Sequence, residues 1–301
     1  MYDPRLAIVA TVVLSISVSC AQPESTETSE TNVAQVTEEA REPERNPNLK
    51  NLRLNPVIAA LEQDQPALRG EEWQFIEMEH GPFQMDRLEA MLAETGKDRD
   101  ADGRLKIAPL VRIPQEGDED FKWAIKQVLD AGAYGILLPH VDTGEEAARF
   151  VKAMRYPRRK EESHLQEPRG ERGWGPGRAV NYWGLANGQE YYDKADVWPL
   201  NPEGELFAVA LIESGEAVGN IEAILQAPGL SAILVVPGDM SIDLGLGPRG
   251  DKPFPEVEAA FQTVIKACRA QTAVICGLGD ARSNLEMRLE EGWRFMLPLG
   301  G

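Results

Sequence analysis

Two acidic residues stand directly after two strongly apolar runs of the sequence. Glu213 follows the run at 207–212, and Asp239 follows the run at 232–238. Their spacing is about one strand–helix–strand step, which in a parallel α/β fold brings both carboxylates to the same edge of the sheet. Carboxylate oxygens are preferred ligands of Mg²⁺ and Mn²⁺. The pair therefore indicates a divalent metal site, with capping of the following helix as the alternative for each residue.

Two further polar side chains are placed to act beside that pair. Arg112 follows an apolar run, so it should project from a strand end, where a guanidinium can hold a carboxylate or polarise a keto oxygen. His80 ends the acidic segment 77–80, in which a neighbouring carboxylate would orient the imidazole for proton transfer. His140 could also face the site, whereas His164 lies in a charged loop. The simpler alternatives are a salt bridge for Arg112 and a structural role for His80.

The elements that must position these residues alternate between strands and helices from about residue 50 onward. Short apolar runs predict strands at 73–78, 105–113, 134–139, 206–212, 231–237, 273–276 and 294–298. Amphipathic segments predict helices at 84–94, 118–131, 143–155, 216–226, 255–270 and 281–291. This alternation implies a parallel sheet, and seven such strands favour an α/β fold of the TIM-type (β/α)8 barrel class. The Gly-, Pro-, Arg- and Trp-rich stretch 156–203 has no clear period, and so long a loop is usually functional.

The N-terminal part of the chain predicts export. Residues 1–21 resemble a signal peptide, in which Cys20 could be the lipidated residue of a membrane-anchored lipoprotein. Residues 22–49 predict an acidic disordered tether, because seven acidic residues and two arginines fall within 22–45 with few large apolar groups. The remaining residues, 50–301, form the predicted barrel domain. The net charge of −18 for all 301 residues argues against a nucleic acid partner.

The cysteines of the mature part give little information on their own. Only Cys268 and Cys276 remain there, and both lie in apolar surroundings. Two cysteines do not define a disulfide framework. We therefore expect two buried free thiols.

Six segments, in their order along the chain, resemble the HpcH/HpaI aldolase family. They are 75–82, 109–112, 135–139, 170–175, 211–213 and 237–241. Each segment is weakly specific alone, but six in order across about residues 73–299 are strongly specific. The resemblance implies a metal-dependent (class II) pyruvate aldolase, with relatives among the citrate lyase β-chains, that acts on a small 2-oxo acid and forms a homo-oligomer.

The resemblance also implies a role for each matched residue around the metal. Glu213 and Asp239 would be the ligands of a divalent cation, Mg²⁺, Mn²⁺ or Co²⁺. Arg112 would contact the keto oxygen of pyruvate and stabilise its enolate. The backbone amides of Gly238 and Asp239 would receive the pyruvate carboxylate.

A second group of matched residues would move the proton. His80 would do the acid–base work, with Glu77 at a position where the family commonly has aspartate. Asp130 matches an aspartate that supports the histidine. Because Asp130 ends a predicted helix rather than a strand, it would reach a site only across a subunit contact.

Three departures from the family pattern bear on these expectations. Leu211 replaces a polar residue two positions before the metal-binding glutamate. The first βα unit is expected to be absent, because residues 67–70 run almost directly into the strand at 73. The family's last helix is also expected to be missing after residue 299. Residues 50–70 or a partner would then have to cover the open edges, or the chain would be a truncated or decaying gene product.

Together, these observations predict retro-aldol cleavage of a 4-hydroxy-2-oxo acid to pyruvate and an aldehyde. The reaction needs a base for the 4-hydroxyl proton and an electron sink for the enolate. One alternative is a citrate-lyase-like enzyme for a CoA thioester, for which the arginines of 155–178 offer cations. Another is a non-catalytic exported binding protein on a degenerate barrel. The expected location is the periplasm or a lipid anchor, with the cytoplasm, as for the family, as the alternative.

Overall fold

Apolar runs and amphipathic segments alternate as parallel strands and helices in the computed structural model, which describes residues 46–114, 121–248 and 253–300. The strands are β1 Ala67–Leu68, β2 Trp73–Glu77, β3 Ala108–Arg112, β4 Gly135–Leu138, β5 Val197–Trp198, β6 Leu206–Ile212, β7 Ala232–Val235, β8 Ile275–Ala281 and β9 Phe295–Leu299. The helices are α1 Pro56–Glu62, α2 Met85–Thr95, α3 Lys122–Ala131, α4 Gly144–Met154, α5 Gly177–Tyr182, α6 Gly188–Lys194, α7 Gly215–Gly219, α8 Ile221–Leu225, α9 Pro237–Asp243, α10 Pro255–Arg269 and α11 Leu285–Glu291. Short 3₁₀ turns lie at Leu49–Asn51, Ser163–Leu165 and Arg282–Asn284.

The strands form one parallel sheet in the order β1-β9-β8-β7-β6-β4-β3-β2, and the short β5 pairs with β6 outside this path. An isolated parallel bridge between Arg69 and Trp73 joins the two ends of the order. Eight parallel strands with helices between them confirm the TIM-type barrel. Within the described ranges, no helix is long and apolar enough to cross a membrane.

The N-terminal edge of the barrel explains how the incomplete first unit is covered. Residues Ala67 and Leu68 pair with Phe295 and Met296 of β9, so β1 supplies a strand of only two residues. Four residues, 69–72, then lead straight into β2 in place of a helix. Residues 50–70 therefore patch the open edge, and α1 packs Val57 and Ile58 fully into the core.

The inside of the barrel is filled at the end where the strands begin. The rings of Trp73 and Phe295 stack with centroids 4.5 Å apart, and Phe207 lies 5.3 Å from Phe295. Fully burying a large apolar side chain contributes roughly 2–3 kcal/mol. Because these rings occupy the N-terminal ends of the strands, polar side chains that follow the strands collect at the opposite end.

One boundary predicted from the sequence shifts in the structure. Residues 46–49, placed in the tether, already pack on the barrel, since the Asn46 side chain donates a hydrogen bond to the Asp102 carbonyl at 3.0 Å and Leu49 is buried. The signal peptide, Cys20 and residues 22–45 lie outside the described residues. The long stretch 156–203 contains α5, α6 and β5, elements too short to show a period in the sequence.

The expectation of two free thiols is wrong, because Cys268 and Cys276 form a disulfide. Cys268 lies near the C-terminal end of α10, and Cys276 is the second residue of β8. The short turn between them brings α10 and β8 side by side, a proximity that the sequence separation alone does not reveal. The disulfide therefore links a surface helix to a barrel strand.

Removing this cross-link is expected to destabilise the protein. A disulfide that closes a loop of eight residues removes chain entropy from the unfolded state worth roughly 2.5 kcal/mol. The C268A/C276A variant should therefore lose about that much free energy of unfolding in urea titrations, with little change in the fold. Dithiothreitol should lower the stability of the wild type and leave the variant unaffected. Equal stability of the two proteins under oxidising conditions would contradict this prediction.

Candidate active site

Parallel pairing brings the ends of the central strands to one rim of the barrel. Glu77 of β2 lies in register with Arg112 of β3, which in turn pairs with Leu137 of β4. The next strands continue this order, so Glu213 follows β6 and Asp239 follows β7 on the same rim. Four of the residues singled out in the sequence therefore meet at the C-terminal ends of the strands.

Arg112 is the centre of an ionic network on this rim. Its guanidinium is almost buried and donates through Nε to Oε2 of Glu77 at 2.8 Å, with a second contact through NH2. NH1 lies 3.0 Å from Oε2 of Glu79 and 4.0 Å from Oε1 of Glu213. The Phe75 ring packs under the guanidinium, 5.4 Å from its centroid. One cation thus faces three carboxylates in a fixed orientation.

Glu77 binds Arg112 in this network rather than the imidazole of His80. Burial opposes its charged form, but the hydrogen bonds from Arg112 and from the backbone outweigh burial and lower the pKa of Glu77. Its Oε1 accepts hydrogen bonds from the main-chain nitrogens of Glu79 at 2.6 Å and His80 at 3.2 Å. Glu77 therefore fixes the turn that carries His80 through the main chain, and it is not the carboxylate beside the imidazole.

The His80 imidazole lies at the mouth of the site, with 62% of the side chain exposed. Its Nε2 lies 3.7 Å from Oε2 of Glu79. Glu79 is itself mostly buried, and this burial raises its pKa above the ordinary value in spite of Arg112. The histidine and its carboxylate partner are thus adjacent along the chain.

Glu213 is the most buried carboxylate of the group, with 2% of the residue exposed. Its Oε2 accepts a hydrogen bond from the main-chain nitrogen of His140 at 2.8 Å. Its Oε1 is buried and has no hydrogen-bond partner among the described residues. Burial, together with repulsion from Asp239 and Glu79, raises the pKa of Glu213 to about 7. A buried oxygen without a partner is costly, and a bound cation would supply the partner.

Asp239 and the preceding glycine form the other side of this candidate metal site. Asp239 lies half-buried in the first turn of α9, where main-chain amides have no acceptor within the helix. A Cβ added to Gly238 would meet no atom within 4 Å, so the space above it is open. Among the described residues, no group of three or more His, Cys, Asp or Glu could hold a metal ion. A cation here would therefore have Glu213 and Asp239 as its protein ligands, and other oxygens would complete its shell.

Two residues of the rim were not assigned roles from the sequence. Glu79 shares the network through Arg112, and the alternation of side chains along a strand would have placed it on the same side as Glu77. His140 follows β4, and its Nδ1 and Nε2 lie 3.6 Å from Glu213 and 3.8 Å from Glu79. Its backbone has a φ of +51°, which no pattern of residue types indicates.

Asp130 is not brought into this group. It lies near the C-terminal end of α3, where its Oδ1 accepts a hydrogen bond from NH2 of Arg172 at 2.6 Å. Tyr156 lies within 3.5 Å of the same oxygen. Within one chain, Asp130 therefore belongs to the packing of the 156–203 segment, and a role across a subunit contact stays a prediction.

Known proteins resemble the chain over most of its length. The family model described as HpcH/HpaI aldolase/citrate lyase matches residues 59–296. A hydroxypyruvate/pyruvate aldolase of Chromohalobacter salexigens is 32% identical over 236 residues, which cover 76% of this chain and 78% of that protein. The crystal structure of an HpcH/HpaI aldolase/citrate lyase family protein from Burkholderia cenocepacia has a TM-score of 0.62 and 25% identity, covering 83% of this chain and 91% of that one. The chain belongs to the HpcH/HpaI aldolase/citrate lyase family.

Proposed function

We propose that the protein is a divalent-metal-dependent aldolase that cleaves a 4-hydroxy-2-oxo acid to pyruvate and an aldehyde. The observation that carries this proposal is the buried, unpartnered Oε1 of Glu213 beside Asp239 and Arg112. Relatives with about the same identity are named hydroxypyruvate/pyruvate aldolase and 4-hydroxy-2-oxovalerate aldolase. These names support the choice of a 2-oxo acid as substrate.

Glu213 and Asp239 would hold the cation, whose contribution when bound is to draw electron density from the substrate's keto oxygen. Arg112 is aimed at the same place and is held there by Glu77, so its charge is already oriented when the enolate forms. The amides of Gly238 and Asp239 would bind the substrate carboxylate at the start of α9. These groups orient the pyruvate half of the substrate.

His80 is the base for the other half. It accepts the proton of the 4-hydroxyl group, directly or through a water molecule, and Glu79 stabilises the charge on the imidazole. The C3–C4 bond breaks, its electron pair goes to the enolate of pyruvate, and the C4 oxygen becomes the aldehyde carbonyl. Protonation of the enolate at C3 then gives pyruvate.

The arginines of residues 155–178 offer little support for a CoA thioester substrate. Five of the six arginines have a carboxylate partner: Arg155 pairs with Asp196, Arg158 and Arg159 with Glu162, Arg172 with Asp130, and Arg178 with Glu89. The sixth, Arg169, is exposed. Cations with internal partners are poorly placed to bind the phosphates of CoA. The observation therefore favours the aldolase over the citrate-lyase-like alternative.

The test is pyruvate release from 4-hydroxy-2-oxovalerate by the mature chain. Release should require Mg²⁺, Mn²⁺ or Co²⁺, stop with EDTA and resume when the ion is restored. A folded protein that binds Mn²⁺ and releases no pyruvate would exclude this aldolase activity. Release that continues in EDTA after dialysis would exclude the metal dependence.

Binding of the metal ion should weaken as the pH falls through 7. A metal ligand must be deprotonated, and the pKa of Glu213 is about 7 in the metal-free protein. Above this pH the ion displaces no proton from Glu213, whereas below it the affinity should fall by up to about tenfold per pH unit. Titration calorimetry with Mn²⁺ at pH 5.5, 6.5 and 8.0 measures the trend. A constant affinity between pH 5.5 and 8.0 would mean that Glu213 is not a ligand.

We also propose export of the protein and a homo-oligomeric state. The Cys268–Cys276 disulfide supports export, because disulfides persist mainly in oxidising compartments. Fractionation of cells that express the full chain, with thiol labelling of each fraction, tests this proposal. Recovery of reduced protein in the cytosol alone would exclude export.

A further inference from the structure

The backbone conformation of His140 lets its main-chain nitrogen bind Glu213 while its side chain stays exposed. Its φ of +51° is uncommon for a residue other than glycine and recurs at functional sites. In this conformation its main-chain nitrogen donates to Glu213 at 2.8 Å, while 52% of the side chain stays exposed. The main chain fixes Glu213, and the imidazole therefore remains available for another purpose.

The imidazole stands over the site without a hydrogen bond to it. Nδ1 lies 3.6 Å from Oε2 of Glu213, and Nε2 lies 3.8 Å from Oε1 of Glu79. Both distances exceed those of hydrogen bonds. Within the described residues, each ring nitrogen can thus still donate to or accept from a bound molecule.

His140 lies on the exposed side of the rim, where the half of a bound substrate that becomes the aldehyde would extend. β4 lies between β3, which carries Arg112, and β6, which leads to Glu213. Groups that would hold pyruvate lie deeper, because Arg112 and Glu213 are buried while His80 and His140 are exposed. Both histidines lie within 3.8 Å of Glu79, at the mouth through which the rest of a substrate bound by its pyruvate end would extend.

The charges around the rim restrict which aldehydes suit this position. Three carboxylates, from Glu77, Glu79 and Glu213, lie within 4.0 Å of the Arg112 guanidinium, and the negative charge of Asp239 acts on Glu213 from the next strand end. A divalent cation would be offset by the negative charges of the pyruvate enolate and its carboxylate. The mouth would remain negative, so an aldehyde with its own carboxylate would be repelled and a neutral polar one would not.

We propose that the His140 imidazole hydrogen-bonds a hydroxyl group of the aldehyde and so selects neutral hydroxyaldehydes over apolar and acidic ones. The inference rests on the proposed aldolase function and adds the substrate class of its second half. The same contact applies in aldol addition, in which C3 of pyruvate gives up a proton and bonds to the aldehyde carbon, whose oxygen gains a proton.

The test compares glycolaldehyde with propanal, which carries a methyl group in place of the hydroxyl group, as acceptors for pyruvate. The ratio of their kcat/KM values is measured in the wild type, H140F and H140N, so that hydration of the aldehydes in solution cancels between proteins. H140F should lower the preference for glycolaldehyde about tenfold, the order expected for one hydrogen bond, mainly through KM for the aldehyde. Asparagine tolerates a positive φ and can hydrogen-bond, so H140N should retain most of the preference. His164 is exposed in a separate loop, and H164F is the matched control.

A binding measurement complements the rates. The chain has three histidines, so ¹³C labelling of the imidazole Cε1 gives three signals, and the one missing in H140F belongs to His140. Glycolaldehyde should shift this signal in the metal-free protein, and propanal should not.

Exchange of the C3 protons of pyruvate in D2O tests the aldolase function separately from the role of His140, because the exchange needs no aldehyde. An H140F variant that exchanges pyruvate protons and keeps the wild-type ratio of acceptors would overturn the role of His140 while the aldolase function stands. A wild type that neither exchanges these protons nor forms product would overturn the function and this inference with it.

Discussion

Replacing Glu213 with glutamine should abolish metal-dependent cleavage and, at the same time, stabilise the metal-free protein at pH 8. A bound divalent cation supplies several kcal/mol of charge stabilisation in such reactions, so the loss of one ligand should lower kcat/KM by roughly 10³-fold or more. Calorimetry should show no Mn²⁺ binding by E213Q at the concentrations that saturate the wild type. E216Q, which changes an exposed glutamate three residues later, should bind Mn²⁺ normally.

The gain in stability follows from the pKa of Glu213. The folded-state pKa of about 7 lies above the ordinary value of 4.5, so the folded protein holds a proton that the unfolded chain releases between these pH values. The associated stability is fully present below pH 4.5 and is lost as the pH rises through 7. The loss amounts to roughly 3 kcal/mol, and E213Q should avoid most of it. The site thus stores unfavourable electrostatic energy that binding of a cation relieves.

Urea titrations in EDTA at pH 8 and pH 5 measure this difference. E213Q should exceed the wild type at pH 8, and the two should converge at pH 5, where Glu213 is mostly neutral. An E213Q variant that is less stable than the wild type at pH 8 would mean that Arg112 and His140 already compensate the charge. In that case the unpartnered oxygen would no longer support a cation site.

The residues of the rim could be predicted from the sequence because, in a parallel sheet, residues that follow the strands along the chain lie close together in space. Arg112, Glu213 and Asp239 each follow an apolar run, and parallel strands must bring such residues to one edge. The partners within the rim did not follow from this rule. Glu77 binds Arg112 and the main-chain nitrogens of its own turn rather than the imidazole of His80, a choice of partners that residue types alone do not indicate.

The remaining misses depend on very short elements or on contacts between distant elements. β1 has two residues, too few to show an alternation of apolar and polar side chains, yet it completes the order of the barrel strands. Cys268 and Cys276 meet because a helix and a strand turn back on each other, which residue spacing does not encode. The sequence suggested that His140 faces the site, but not the φ of +51° with which its main-chain nitrogen reaches Glu213. Periodicity in the sequence predicts elements of about one turn or longer, whereas a single backbone angle leaves no periodic pattern.

Replacing Arg112 with lysine should lower kcat at least 100-fold and leave the protein folded. The guanidinium reaches Glu77 and Glu79 through separate nitrogens, and one ammonium group cannot hold both carboxylates and face a forming enolate. Losing one oriented donor to a developing negative charge costs about 10²–10³ in kcat. Steady-state cleavage of 4-hydroxy-2-oxovalerate measures the effect, and R104K, which alters an ion pair with Asp100 before β3, should retain wild-type kcat.

R112M separates the structural role of Arg112 from the catalytic one. Without a cation, the buried carboxylates of Glu79 and Glu213 would lose their compensation, so this variant should be destabilised by roughly 3 kcal/mol at pH 8. The destabilisation should shrink at low pH, because protonation removes the uncompensated charge. An R112K variant with a kcat within threefold of the wild type would show that any cation near the rim suffices. The fixed fork of the guanidinium would then be dispensable for stabilising the enolate, and only its positive charge would matter.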